Sequence, residues 1–186
     1  MKTRRFAIVL IALTLVSVIF PAVASAASND KYLQSVKEIS FTESGAVARK
    51  AAELMEGKTT TEEKAMAVYS YIVKNYSYDW DLANSIIAGK VTVYTPNPEK
   101  TLQKDVGICY DIASLYAAML RSQGIPCKMV KGYASSINGY HAWNAVYDEE
   151  TGSWISMDLT YDMMTSARAR TSWAGLTGTY NASKSV

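Results

Sequence analysis

The sequence predicts an α+β domain, with helices first, a mostly antiparallel sheet after them, and one buried helix between the two. Three observations carry that reading. Apolar residues recur at helical spacing from Ser44 to Tyr76. The stretch Cys109–Ser122 is apolar over most of a helix circumference, as in a helix buried on several sides. From Lys128 onward the period changes from helical to alternating.

At the N-terminus, Lys2, Arg4 and Arg5 precede the apolar run Phe6–Phe20, then Pro21 and Ala24-Ser25-Ala26. This is the charged region, apolar region and cleavage pattern of a secretory signal peptide spanning residues 1–26. The run is short against the roughly 20 residues of a bilayer span. Secretion, to the medium or the cell envelope, is therefore expected, with no stable membrane insertion after cleavage. The remainder reads as one globular domain, an N-terminal arm and helix at 27–60 joined to a core at 61–186. The leader carries three of the 19 basic residues and none of the 17 acidic ones, leaving 16 against 17. No strong field remains to attract nucleic acid or anionic lipid.

Residues 27–43 read as an arm lying on the domain. A helix follows at Ser44–Glu56, with Val47, Ala51, Leu54 and Met55 on one face and Gly57 as its stop. Thr60 and Glu63 form a capping box for the next helix, whose stripe is Ala65, Val68, Tyr69, Ile72, Val73 and Tyr76. Asp81–Ala88 adds one or two turns, Val91–Thr95 reads as β-like, and Pro96-Asn97-Pro98 as a loop. In the central helix Ile112, Leu115, Tyr116, Met119 and Leu120 form the main stripe, and Gly124 and Pro126 end it. Strands are expected at Lys128–Ala134, Tyr140–Asp148 and Ser153–Leu159, with 149–152 as a hairpin loop. A last strand around Trp173–Leu176 and a loose end complete the chain.

The chain has two cysteines and one histidine. A helix from Cys109 to Ser122 rises about 21 Å, and the residues from Gln123 to Cys127 recover at most about 14 Å. A bridge needs Cα atoms within roughly 7 Å, so an intrachain disulfide is not expected. A single histidine with unpaired cysteines gives no metal set. Cys127 reads as a small buried hydrophobe. Cys109 begins a helix, where unpaired amides and the dipole favour a thiolate. A buried filler is the competing reading, and a base within reach decides between them.

If residues 149–152 form the hairpin loop, paired residue numbers sum to 301 and His141 sits opposite Thr160. Asp158 is then two residues away on the same face, about 7–8 Å at Cα. A thiol, an imidazole and a carboxylate in one place make a nucleophile, a base and an orienter.

The segments "GICYDIASLYAAMLRSQGIPCKMVKGY" and "HAWNAVYDEETGSWISMDLTYD" resemble the transglutaminase-like superfamily of papain-like fold, over about Thr101–Asp162. The matching features are Gly-x-Cys at the helix start, the Leu-Arg-x-x-Gly-Ile-Pro turn, His-Ala-Trp, and Trp-x-x-x-Asp with a following Thr. "YSYD" at 76–79 is similar to the lead-in of bacterial members. The resemblance implies a buried helix carrying the cysteine, packed on the sheet. It also implies Cys109 as nucleophile, His141 as general base and acid, and Asp158 as orienting carboxylate. Members include cross-linking enzymes, deamidases, proteases and glycopeptide amidases, which share a cysteine acyl-enzyme. Tyr110 stands where the animal cross-linking enzymes carry Trp, and their calcium sites have no counterpart, so no cofactor or metal is expected.

The expected activity is therefore hydrolysis of, or acyl transfer from, an amide of an extracellular protein or peptide. A non-catalytic cell-surface or cell-wall binding module on the same fold is the alternative. Around the site, Asp111 reads as complementing the helix dipole and Asn144 as structural. Trp143 and Trp154 either wall the cleft or pack the core. Tyr76, Tyr78 and Trp80 are candidates for an oxyanion donor beside the Cys109 amide.

Overall fold

The computed structural model describes residues 29–135, 137, 139–165, 172–173 and 180–186. The leader at 1–26 lies outside these residues, as does most of the strand expected at Trp173–Leu176. Two amphipathic helices come first, α1 (Ala46–Met55) and α2 (Thr61–Asn75). The capping box of α2 forms as read: the Glu63 amide donates to Thr60 Oγ1 at 3.1 Å, and the Thr60 amide to Glu63 Oε2 at 3.2 Å. These bonds satisfy amides that the first helical turn leaves unpaired.

Short elements then approach the central helix. They are β1 (Ser77–Tyr78), α3 (Trp80–Ile87), α4 (Pro98–Lys104) and β2 (Val106–Gly107). Strands β1 and β2 form a two-residue parallel bridge that places Tyr78 opposite Gly107. Neither β1, β2 nor α4 was expected. Two residues carry no periodicity, and Asn97-Pro98 reads equally as a loop or as a helix start. Here it is a start: Asn97 Oδ1 accepts from the Lys100 amide at 3.0 Å, and Pro98 occupies the first turn. Val91–Thr95, expected as β-like, belongs to no strand.

The central helix α5 (Cys109–Arg121) leads to strands β3 (Cys127–Ala134), β4 (Tyr140–Asp148) and β5 (Ser153–Met157), helix α6 (Leu159–Met164) and strand β6 (Tyr180–Ser185). The four-stranded sheet is antiparallel, in the order β5-β4-β3-β6. Pairs from Asn144↔Met157 to Asp148↔Ser153 keep the expected sum of 301. The third strand, however, stops at Met157 rather than Leu159. The Asp158 carboxylate accepts from the Tyr161 amide at 3.0 Å and caps α6, which ends the ladder. The chain end is a second correction. It pairs with β3 instead of hanging loose, and Val186 and Met129 exchange both backbone hydrogen bonds at 2.9 Å.

Helix α5 packs against α1, α2, α4, α6, β2, β3 and β4. Ile112, Leu115, Tyr116, Met119 and Leu120 are wholly buried. Each aliphatic side chain among them contributes about 1.5–3 kcal/mol. The N-terminal arm lies on the same helix, with Ile39 buried and the Glu38 carbonyl accepting from the Ser114 hydroxyl. At the C-terminal end of α5, buried Arg121 donates to the carbonyls of Cys127, Gln34 and Val186 at 2.7–2.8 Å. One guanidinium thus ties strand β3, the arm and the chain end together.

Replacing Arg121 with Met keeps the bulk and leaves three carbonyls without their donor. An unsatisfied buried polar group costs about 1–3 kcal/mol, so urea unfolding should show Arg121→Met less stable by about 3 kcal/mol or more.

Candidate active site

Cys109 is the first residue of α5 and is only partly exposed, whereas Cys127 is fully buried; both thiols are free. Burial pushes the Cys127 thiol up to about 12, and this dominates the opposing influences of Arg121 and Asn144. A thiol of that kind stays protonated and inert.

His141 stands near the start of β4 and is buried. Its Nε2 lies 2.9 Å from Asp158 Oδ2, and both side chains are almost fully shielded from solvent. With Nε2 engaged, Nδ1 is the nitrogen left for the Cys109 thiol, which lines the same cleft and acts on the ring. Burial opposes charge on the imidazole, but the bond to Asp158 and the nearby Cys109 thiol outweigh it and raise the group to about 9. Of the three side chains singled out in the sequence, His141 and Asp158 are in direct contact and Cys109 lines the same cleft as His141. The His141–Asp158 contact is made with Asp158 at a helix cap, not on the strand where the alternation placed it.

Of the three aromatic residues considered for the oxyanion position, Tyr78 is the one that reaches Cys109. Its phenol lies close enough to feel both the backbone and the thiol of that residue. Burial first, and then the field of the thiol, push the phenol up to about 12, so it keeps its proton and remains a donor. Tyr76 points elsewhere, toward the Leu102 carbonyl at 3.4 Å, and Trp80 packs edge-on against Tyr78 with ring centroids 4.7 Å apart.

Trp143 stacks on His141 at 6.1 Å and 21°, and belongs to a small core cluster with Val130 and Ala145. Trp154 packs among Tyr32, Tyr147 and the Lys128 ammonium. Packing is thus the role of both. Asn144 is structural, as read: its amide donates to the Ala113 carbonyl at 2.9 Å and the Lys128 carbonyl at 3.2 Å.

Asp111 does more than complement a dipole. Its carboxylate accepts from the Ile108 amide at 3.1 Å and from the Tyr94 hydroxyl at 2.7 Å. Burial raises its carboxyl above the ordinary value despite those two bonds. The bond to Tyr94 anchors the extended segment 91–95 beside the thiol.

That segment walls a cleft of about 290 Å³ containing Cys109 and His141, also lined by Ile86, Val91, Tyr110 and Lys131. A second cleft of about 380 Å³, lined by Tyr78, Trp80, Ile87 and Met164, lies along the other side of α3. Large apolar side chains left in solvent gather on these rims: Trp80 is 60% exposed, Ile87 83%, Tyr140 56% and Met164 44%. Sequence reasoning missed Tyr94 and Lys131, because a partner contributed by another element leaves no local pattern.

Residues 48–159, more than half of the chain, match the family model of the transglutaminase-like superfamily. No curated protein shows a significant sequence match. Among solved structures, a candidate cysteine protease from Cytophaga hutchinsonii is 23% identical with a TM-score of 0.60, over 76% of this chain and 45% of the other. The periplasmic domain of TgpA from Pseudomonas aeruginosa is 20% identical with a TM-score of 0.55, over 82% of this chain and 51% of the other. The chain spans about half the length of each. At such identities the likeness is one of fold.

An imidazole raised from 6.5 to about 9 contributes stability that is full below about pH 6.5 and is lost as pH climbs through 9. NMR titration should place the His141 ring near 9. Asp158→Asn should bring it down and flatten the stability profile between pH 6.5 and 9.

Proposed function

The chain belongs to the transglutaminase-like superfamily, and from that premise we propose that it is a thiol enzyme acting on amides of extracellular proteins or peptides through a Cys109 acyl-enzyme. The observation that carries this is the buried His141–Asp158 pair at 2.9 Å, sharing a cleft with Cys109 at the open N-terminus of a helix. The apolar rims of the cleft at the thiol and of the cleft across α3 support an extended substrate such as a peptide segment. Export rests on the leader pattern at 1–26.

The raised imidazole holds the proton of the pair at neutral pH, and the Cys109 Sγ beside it attacks the amide carbonyl. The oxyanion accepts from the Tyr78 hydroxyl and the Cys109 amide. His141 passes the proton to the leaving amine, the C–N bond breaks, and a thioester remains. Water, or a second amine, then attacks the thioester with His141 removing its proton, and the thiol is regenerated. Asp158 holds the ring orientation and stabilises its charged form.

The test is a glutamine-bearing protein with a labelled amine, read for amine incorporation, ammonia release and chain cleavage together. At least one signal is expected, abolished by Cys109→Ala. None of the three, or a signal that survives the substitution, favours the non-catalytic binding module. Alkylation adds a direct check: iodoacetamide at pH 6 should modify Cys109 rapidly, more slowly in His141→Ala, and leave Cys127 untouched.

Tyr78→Phe removes one oxyanion donor while keeping the ring. A fall in kcat on the order of 100-fold with KM little changed is expected, measured on whichever amide substrate the first assay identifies.

A further inference from the structure

We propose that the cleft beside Cys109 takes an amide substrate carrying a carboxylate, and that Lys131 selects it. The inference rests on the acyl-enzyme reading above and names the class of substrate.

The cleft is mostly apolar and aromatic, and apart from His141 the full positive charge in its lining belongs to Lys131. This ammonium is held in place. Its Nζ donates to the Tyr110 hydroxyl at 3.2 Å and sits 4.5 Å from the centre of the same ring. Tyr110 lines the cleft together with Cys109 and His141, so the cation is held in the wall of the same cleft as the reacting atoms. Both partners of the ammonium are neutral. Among the described residues no carboxylate lies within ion-pair distance of it, the ion pairs there being Lys50–Glu53 and His141–Asp158.

A half-buried cation steadied by a phenol has spent water on one side and gained no counter-charge. An anion entering the cleft supplies it, in surroundings where a charge pair is stronger than in water. Lys184 is the register partner of Lys131 on β6, and its charge is felt at Tyr110. Glu38 and Asp111 act on Tyr110 in the opposite sense, so around that ring Lys131 and Lys184 face two carboxylates, neither within ion-pair distance of the Lys131 ammonium.

The carboxylate can come from an acidic side chain beside the scissile amide or from a free chain terminus next to it. Either presents the same two oxygens to the ammonium.

The first probes are iodoacetate and iodoacetamide, which differ by a carboxylate and attack the same thiol. The ratio of their rates at Cys109 should exceed that for a free thiol of similar reactivity. It should fall on the order of tenfold in Lys131→Met, fall further in Lys131→Glu, and hold in Lys131→Arg. A ratio unmoved by Lys131→Met and Lys131→Glu overturns the proposal. So does an equal drop in both rates, which marks a structural role. Fast iodoacetamide labelling without a Lys131-dependent preference would sink the carboxylate pocket alone. Sluggish labelling by both reagents with that preference intact would sink the acyl-enzyme reading instead.

Matched amide substrates then separate the two sources. A kcat/KM preference for Glu over Gln beside the scissile bond, lost in Lys131→Met, assigns the side chain. A preference for a free over an amidated terminus, lost in the same variant, assigns the terminus. Lack of either preference in the wild-type protein overturns the proposal for substrates.

Discussion

A helix buried around its whole circumference can meet solvent only at its ends, and that constraint organises this molecule. Seven elements pack on α5. Its C-terminal end is sealed by the Arg121 guanidinium, which draws three carbonyls from three parts of the chain onto one group. The N-terminal end is closed on several sides by Tyr78, by the segment that Tyr94 anchors, and by His141. What remains open is the position of Cys109. The unpaired amides and positive end of the dipole fall at the place where a side chain of α5 can be reached from outside.

The position of the base follows from two buried polar side chains that tie elements together. Asn144 donates to a carbonyl of α5 and to one of β3, so the strand bearing His141 cannot slide against the helix bearing Cys109 without losing both bonds. Asp158 has divided duties: Oδ1 caps α6 and Oδ2 meets the imidazole. A carboxylate already fixed by a backbone amide loses little further freedom when it orients a ring. Ending β5 one residue before it is therefore part of the site. On the ladder this side chain would have lacked the free helical amide that now holds it.

Much of this was legible in the residues themselves. The 301 register, the capping box at Thr60 and the buried stripe of α5 all follow from periodicity, which is local and repeats often enough to be read. His141 and Asp158 were brought together by register alone, though the backbone under Asp158 is helix cap rather than strand. Other features depend on partners far away in the chain. The phenol of Tyr94 finds its acceptor at Asp111, Arg121 finds carbonyls at Gln34 and Val186, and β6 finds its edge on β3. Alternation identifies faces and cannot identify such partners. Elements of two residues, like β1 and β2, carry no period at all.

A carboxylate two residues after the nucleophile looks like a liability, since negative charge near a thiol opposes its ionisation. The geometry removes the conflict. Both Asp111 oxygens are occupied, one by the Ile108 amide and one by Tyr94, and burial raises the carboxyl so that its charge is less firmly held. Because Asp111 takes the Ile108 amide, that amide is unavailable to an oxyanion, and the Cys109 amide with the Tyr78 phenol is left for the purpose. The residue before Ile108 must then make room. A Cβ on Gly107 would fall 2.6 Å from the Asp111 Cβ, a clash of two packed carbons that no rotamer of Asp111 relieves. Gly107 is also the bridge partner that sets Tyr78 in place. The same glycine thus permits the carboxylate to turn inward and sets the Tyr78 strand beside the helix start, which is why the approach to Cys109 takes the form Val106-Gly107-Ile108.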